Sequence, residues 1–249
     1  MVNPFNAFRI MNLEELATRV QRITEQSATC GNSCTIEGET YRAGLACIIQ
    51  AKCSKCDATF SIPSSSRFVD GDRRKLWTVN VGAVLGQMAT GGGASRLQQV
   101  MASVGVPSVS KSTFTSTERY ITEELQVHLA ESMIAAGKEE RRLAVENDDY
   151  FQGVPAITVI ADGGWSKRSH KHSYNAKSGV AVIIGSRTKK LLFLGVRNKY
   201  CSTCSIAENA GQEAPAHASY RNWNCSSPTM ESDILVEGLR QPMEYATCS

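Results

Sequence analysis

The stretch ITVIADGGWSKRSHKHSYNA, residues 157–176, runs an apolar segment into a single carboxylate, Asp162, and then into Lys167, Arg168, His170, Lys171 and His172. It is the first of three apolar runs. AITVIAD (156–162), SGVAVIIG (178–185) and KLLFLGVRN (190–198) are each of strand length and separated by short polar segments. Runs of this length, rich in Val and Ile, read as strands. Ser186 to Lys189 is a hairpin-length connection, so the second and third runs form an antiparallel pair. The expectation is a three-strand meander opening on the strand that carries Asp162.

The cations behind Asp162 belong to a longer pattern. Gly163 to Ala207 holds nine Lys or Arg, two His and no Asp or Glu, while the remaining residues hold 18 basic and 24 acidic side chains. A mildly acidic body thus carries one strongly cationic segment, although the net charge is only +3. Such asymmetry favours a polyanionic partner, nucleic acid first. Trp165 and Tyr174 are interleaved with the cations, which suits phosphate contact with base stacking. The alternative is a solvated loop. Lys189 and Lys190, two of the nine, are further candidate DNA contacts.

Upstream of the meander the period is helical. Residues 12–26 (NLEELATRVQRITEQ) place Leu13, Leu16, Ala17, Val20 and Ile23 on one face, with Asn12 as N-cap. From Trp77 onward the text is again helical. ASRLQQVMASV (94–104), a turn at Gly105-Val106-Pro107 and a second helix from about Ser110 have the order of a helix-turn-helix. On that reading Ser110, Lys111, Ser112 and Thr113 face DNA. On the other it is an ordinary helical hairpin. The second helix extends to about Glu146, with Gly137 as a candidate break. MESDILVEGLRQ (230–241) is a final helix, acidic early and basic late.

The nine cysteines are clustered. Nothing near the start resembles a signal peptide, and no apolar stretch is long enough to span a membrane, so a reducing compartment is expected. There, clustered cysteine points to metal more than to disulfide. Cys30-x3-Cys34 and Cys53-x2-Cys56 are two close thiol pairs, the ligand set of a tetrahedral zinc site of ribbon or finger type. The alternative leaves Cys30, Cys34 and Cys47 as small unliganded residues. Cys201-x2-Cys204 is a second half-site, with His217 as third ligand and Cys225 as a candidate fourth. The alternative there is a thiol pair in a loop.

Asp162 stands at the end of the first meander strand, where ribonuclease-H-like nucleases place their first catalytic acid. Those sites hold two divalent ions, and Mg²⁺ or Mn²⁺ requires several oxygen ligands each. One Asp in an Asp-Gly-Gly sequence also reads as a turn.

Three blocks then point to a family. DGGWSKRSHKHSYNAKSGVAVIIG, KLLFLGVRNKYCSTC and NWNCSSPTMESDILVEGLRQ resemble Mutator-like transposases, as do WTVNVGAVLGQMATGGGASRLQQVMASVGVPSVSKSTF and the segment around GLACIIQAKCSKC. The resemblance covers residues 30–241. It implies a DNA transposase with a ribonuclease-H-like core and a DDE acid triad, Asp162 matching the first acid. It implies zinc at Cys201, Cys204 and His217, catalytic Mg²⁺ or Mn²⁺ in a complete core, DNA ends or target as partner, and a nuclear location. A homo-oligomer is compatible with it.

The sequence departs from that family in two places. Ser219 stands where the family carries a further Cys, and Cys225 where it tends to carry Gly. The second and third acids have no match, and Glu231, Asp233 and Glu237 read as surface acids of the last helix. The expectation is therefore a C-terminally truncated family member, inactive alone, or a domesticated zinc- and DNA-binding module that regulates or assembles without catalysis. The expected fold is α+β: an N-terminal helix (1–26), a Cys-rich zinc-ribbon-like segment and linker (27–75), a helical region (76–150), an incomplete ribonuclease-H-like meander plus helix (151–241) and a divergent tail (242–249).

Overall fold

A computed structural model describes residues 8–69, 75–166, 176–217 and 219–240. The chain divides into two compact units, Met1–Gln126 and Val127–Ser249. Both mix helices with small antiparallel sheets.

The first unit opens with α1 (Leu13–Cys30). Asn12 caps it, its side-chain oxygen accepting from the Glu15 amide at 3.0 Å. Gly31 ends it in the left-handed region, φ 71°, its amide returning to the Ser27 carbonyl. The helix runs four residues past the expected Gln26, and so carries Cys30 in its last turn.

Three strands follow, β1 (Cys34–Ala43), β2 (Ala46–Cys53) and β3 (Thr59–Pro63), paired as an antiparallel meander with β2 central. Ala46, Cys47, Ala51 and Cys53 of the central strand are buried. Two short strands, β4 (Arg67–Val69) and β5 (Lys75–Trp77), pair with each other and lead into α2 (Thr78–Ala89) and α3 (Ala94–Ser103). The first turns of α4 (Lys111–Glu146) complete a small core of Leu45, Val84, Leu97, Val109, Phe114 and Ile121. Buried Asn80 ties the β1–β2 hairpin to this core. Its amide oxygen accepts from the Leu45 N–H and its amide nitrogen donates to the Ala43 carbonyl, both at 2.9 Å. These two bonds satisfy backbone groups that a buried hairpin end would otherwise leave orphaned.

Helix α4 is continuous over 36 residues, and Gly137 does not break it. Its later part lies in the second unit, where Ala136, Glu140 and Ala144 are buried. Glu140 is 1% exposed and takes both the backbone N–H and the hydroxyl of Thr188, each at 2.8 Å. A buried carboxylate needs such donors. Two very short strands, β6 (Tyr150–Phe151) and β7 (Val154–Pro155), form a hairpin ahead of the main sheet.

That sheet has the expected three-strand order: β8 (Val159–Trp165), β9 (Ser178–Gly185) and β10 (Leu191–Asn198), antiparallel, with β9 in the middle. But β8 starts and ends three residues later than the apolar run 156–162, because Gly163, Gly164 and Trp165 also pair with β9. Asp162 therefore lies mid-strand and not at its end or in a turn. Gly179, Ala181, Ile183 and Gly185 of β9 are buried while the residues between them are more open, which is the pattern of a sheet covered on one face. After α5 (Ser202–Asn209), α6 (Thr229–Arg240) supplies the cover. Met230 and Ile234 are fully buried, and Ile234 joins Ala181, Ile183 and Phe193 in one core cluster. The helix lies close because Gly195 faces it: a Cβ there would stand 2.3 Å from Ile234 Cγ2. Among the described residues no helix is long and apolar enough to cross a membrane.

Candidate metal centres and acid site

The first cysteine group forms where the end of a helix, the end of a strand and the following turn meet. Cys30 closes α1, Cys53 closes β2, and Cys56 lies in the turn to β3. That turn is fixed by the Cys53 amide on the Ala58 carbonyl (2.9 Å) and the Asp57 amide on the Cys53 carbonyl (3.1 Å), with Asp57 at φ 57°. The Lys55 ammonium donates to the Cys30 carbonyl at 3.0 Å and so links the turn to the helix end. The three sulfurs all lie within 4.8 Å of one another, with Cys30 and Cys53 3.9 Å apart. Tetrahedral zinc with Zn–S bonds of about 2.3 Å separates its sulfurs by about 3.8 Å.

Electrostatics favour a charged sulfur here. The Cys53 thiol is pulled down to about 6 by the backbone N–H groups of Cys56 and Lys55 aimed at it. Cys30 moves the other way, to about 11, because its thiol interacts with Cys56, is partly desolvated and lies beside Cys53.

Cys34, the fourth thiol of the spacing argument, stands outside this trio. It is the register partner of Cys53 across β1 and β2, but its sulfur donates to the Gln26 side-chain oxygen at 3.4 Å. The Gln26 amide nitrogen in turn donates to Cys56 Sγ at 2.8 Å. Gln26 thus separates Cys34 from the group. Nothing in the cysteine spacing signals it; only its place one turn before Cys30 on α1 does. Cys47 is fully buried in β2, with its amide on Ser64 Oγ at 2.8 Å.

The second group is built at the start of α5. Cys201 is the N-cap residue, Cys204 sits in the first turn, and the chain after the helix returns His217 to them. His217 Nε2 lies 3.1 Å from Cys201 Sγ and 3.3 Å from Cys204 Sγ. The other ring nitrogen, Nδ1, faces the Pro215 carbonyl at 2.7 Å. With the proton on Nδ1, that contact orients Nε2 as a ligand. The Cys201 thiol is drawn down to about 6, first by the Cys204 backbone N–H, with Ser219, His217 and Cys204 side chains assisting. His217 is raised by the Pro215 carbonyl and by the neighbouring Cys201 sulfur. Ser219 Oγ is 3.8 Å from Cys204 Sγ. Cys225 is exposed and is not part of the group.

Asp162 lies on β8, an edge strand, exposed, with its Oδ1 accepting from the Gly163 amide at 2.9 Å. Gly163 points to the α6 face, where a Cβ would meet Glu231 Cδ at 2.6 Å. Successive strand side chains alternate, so Asp162 points to the opposite face from Glu231. Asp233 and Glu237 are engaged by Arg197: its Nε donates to Asp233 at 2.6 Å and its NH2 group to Glu237. None of the three α6 acids joins Asp162. Among the described residues the two Cys-based groups are the clusters able to hold a metal ion.

Of the cationic candidates, Lys167, Arg168, His170, Lys171 and His172 lie outside the described residues, as does Tyr174. Trp165, just before them, is 42% exposed with its indole N–H on the Ser227 carbonyl. Lys189 and Lys190 sit in the exposed β9–β10 connection. Lys111 is exposed at the start of α4, where Ser110 Oγ accepts from the Thr113 amide at 3.1 Å and caps the helix. Ser112 is exposed while Thr113 is half-buried. The α3–α4 connection, Val104–Ser110, is longer than the turn of a tight helix-turn-helix.

A sequence model of the Mutator-like transposase matches residues 7–248. The chain belongs to that family, and the match is wider at both ends than the blocks that carry the resemblance in the sequence. No curated protein and no solved structure matches it.

Proposed function

We propose that this chain is a transposase-derived DNA-binding protein whose second unit carries a ribonuclease-H-like meander. The observation that carries the reading is the β8–β9–β10 meander, covered on one face by α6 and presenting Asp162 on its edge strand, in a member of this family. In a complete core Asp162 would be the first DDE acid and would hold Mg²⁺ or Mn²⁺, which activates the attacking oxygen and stabilises the leaving one. A single carboxylate is too few oxygen ligands for that metal pair. The acids of α6 do not supply the rest, since they point elsewhere or pair with Arg197. On this reading the chain binds DNA, and Asp162 needs further carboxylates beside it before it can hold the metal pair.

Zinc is the metal that fits both cysteine groups, because thiolate and imidazole ligands at these separations suit it. Cys30, Cys53 and Cys56 would hold one ion, with Cys34 able to join if Gln26 withdraws. Cys201, Cys204 and His217 would hold the other. The ions supply cross-links between chain ends and perform no reaction step.

DNA contact falls to the acid-free segment with Lys167, Arg168, His170, Lys171 and His172, and to Lys111, Lys189 and Lys190. Transposon ends or target DNA are the partners, and the nucleus is the corresponding location. The alternative, a domesticated regulatory or assembly module, keeps the same zinc and DNA contacts without descent into catalysis. Gel-shift binding of duplex DNA, paired with a nicking assay in Mg²⁺ and Mn²⁺, tests the reading. Salt-sensitive binding is expected, and any metal-dependent nicking should be lost in Asp162→Ala. Nicking that survives Asp162→Ala would overturn the catalytic assignment.

A further inference from the structure

The geometry points to an open coordination position in the second metal centre: Cys201, Cys204 and His217 supply three protein ligands, and the fourth vertex goes to an exchangeable small donor beside the Ser219 hydroxyl. The inference rests on the metal reading of this centre. Three observations carry it. The three ligand atoms already stand within 4.8 Å of one another, and the Nδ1 contact to Pro215 aims the imidazole at the two sulfurs. A non-ligand group beside these atoms is Ser219, whose hydroxyl lies 3.8 Å from Cys204 Sγ. A neutral serine hydroxyl is a poor zinc ligand beside thiolate or imidazole. Finally, His217 and Ser219 are both exposed, so water has access to that side, and Cys225 is not in the group.

Closed four-ligand zinc sites are structural, whereas sites with three protein ligands keep a position for water or another donor. The consequence here is an ion held less tightly than in a closed four-ligand site. The pairing of His217 with the start of α5 then depends on available zinc. A further consequence is that a monodentate thiol can add to the bound metal.

The test uses the full chain loaded with Co²⁺ in place of zinc, since near-ultraviolet sulfur-to-cobalt absorption counts thiolate ligands. Adding 2-mercaptoethanol is expected to raise this absorption more in the native chain than in Ser219→Cys, by the intensity of one thiolate. In parallel, Ser219→Cys is expected to tighten zinc at this centre roughly 100-fold, one ligand's share of the affinity of a four-ligand site. Cys225→Ser is expected to change neither measurement. Equal thiol responses in the native chain and Ser219→Cys would overturn the inference, and so would loss of a cobalt thiolate band in Cys225→Ser. If Cys201→Ser and His217→Ala leave the bound-metal count unchanged, the metal reading of the centre itself fails, a separate result from a closed fourth position.

Discussion

Replacing Gly195 by alanine probes the packing that holds Asp162's sheet to its covering helix. A Cβ at this position would stand 2.3 Å from Ile234 Cγ2 and 3.1 Å from Phe193 Cε1. Carbon atoms pack comfortably at about 3.5–4.0 Å, so α6 must lift by about 1 Å or Ile234 must leave its rotamer. Overpacking of this kind costs about 1–3 kcal/mol. For a unit of this size the midpoint of thermal unfolding should fall by roughly 3–15 °C. Circular dichroism measures it. Ile234 is fully buried, so Ile234→Ala alone should cost about 2–5 kcal/mol. The double variant removes the atom that clashes and should be less destabilised than the sum of the two, by about 1 kcal/mol or more. Strict additivity, or a Gly195→Ala protein as stable as the parent, would refute the packing argument.

Other consequences are open to measurement. Asn80→Ala removes two bonds to the β1–β2 hairpin backbone and leaves buried groups unpaired, so a loss of about 2–4 kcal/mol is expected by urea denaturation; an unchanged midpoint would contradict the clamp. Glu140→Ala removes the one carboxylate oxygen that accepts from both the amide and the hydroxyl of Thr188 in a buried site and should destabilise by about 2–3 kcal/mol, whereas Lys111→Ala, on an exposed position, should stay within about 0.5 kcal/mol. In metal-free protein the Cys53 and Cys201 thiols sit near 6, against an ordinary 9.0. Their folded-state value is depressed, so the associated stability is present above pH 9 and fades as pH falls through 6. Thiolate absorbance near 240 nm should therefore appear around pH 6, and zinc loading should weaken as pH falls below it; a first thiolate step only near pH 9 would contradict this. Gln26→Ala should bring Cys34 into the first centre and add a thiolate band with Co²⁺; no new band would mean that Gln26 is not what holds Cys34 away.

The meander was legible because its signals are local. The apolar runs of 178–185 and 190–198 are bounded by polar segments, and β9 shows the alternation of a one-sided sheet. The first run, 156–162, announced a strand but misplaced it by three residues, since the pairing of Gly163 to Trp165 with β9 has no apolar signal. The start of α1 was equally plain from Asn12 and the 3.6 period, but its end was not. Ser27 to Cys30 carry no apolar stripe, and only Gly31 marks the stop. Gly137 looked like a break in α4. An interior glycine costs about 1 kcal/mol, which a 36-residue helix with buried Ala136, Glu140 and Ala144 outweighs.

Cysteine spacing brought together six of the eight expected ligands and left two apart. Whether Cys34 or Gln26 faces Cys56 is decided by rotamers within one site, and spacing is silent on rotamers. The orientation of the α6 acids is likewise a matter of which strand face the helix covers. Gly163 and Gly195 mark that face only once the register is known.

DNA binding by the full chain, measured as a function of salt, tests the functional reading most directly. If Lys167, Arg168, Lys171 and their neighbours contact phosphates, log affinity for duplex DNA should fall linearly with log salt, with a slope of about −0.9 per phosphate neutralised. Replacing Lys167, Arg168 and Lys171 together by alanine should then make the slope shallower by about 2–3. Affinity that ignores salt, or a triple variant with the parent's slope, would contradict the assignment of this segment to DNA.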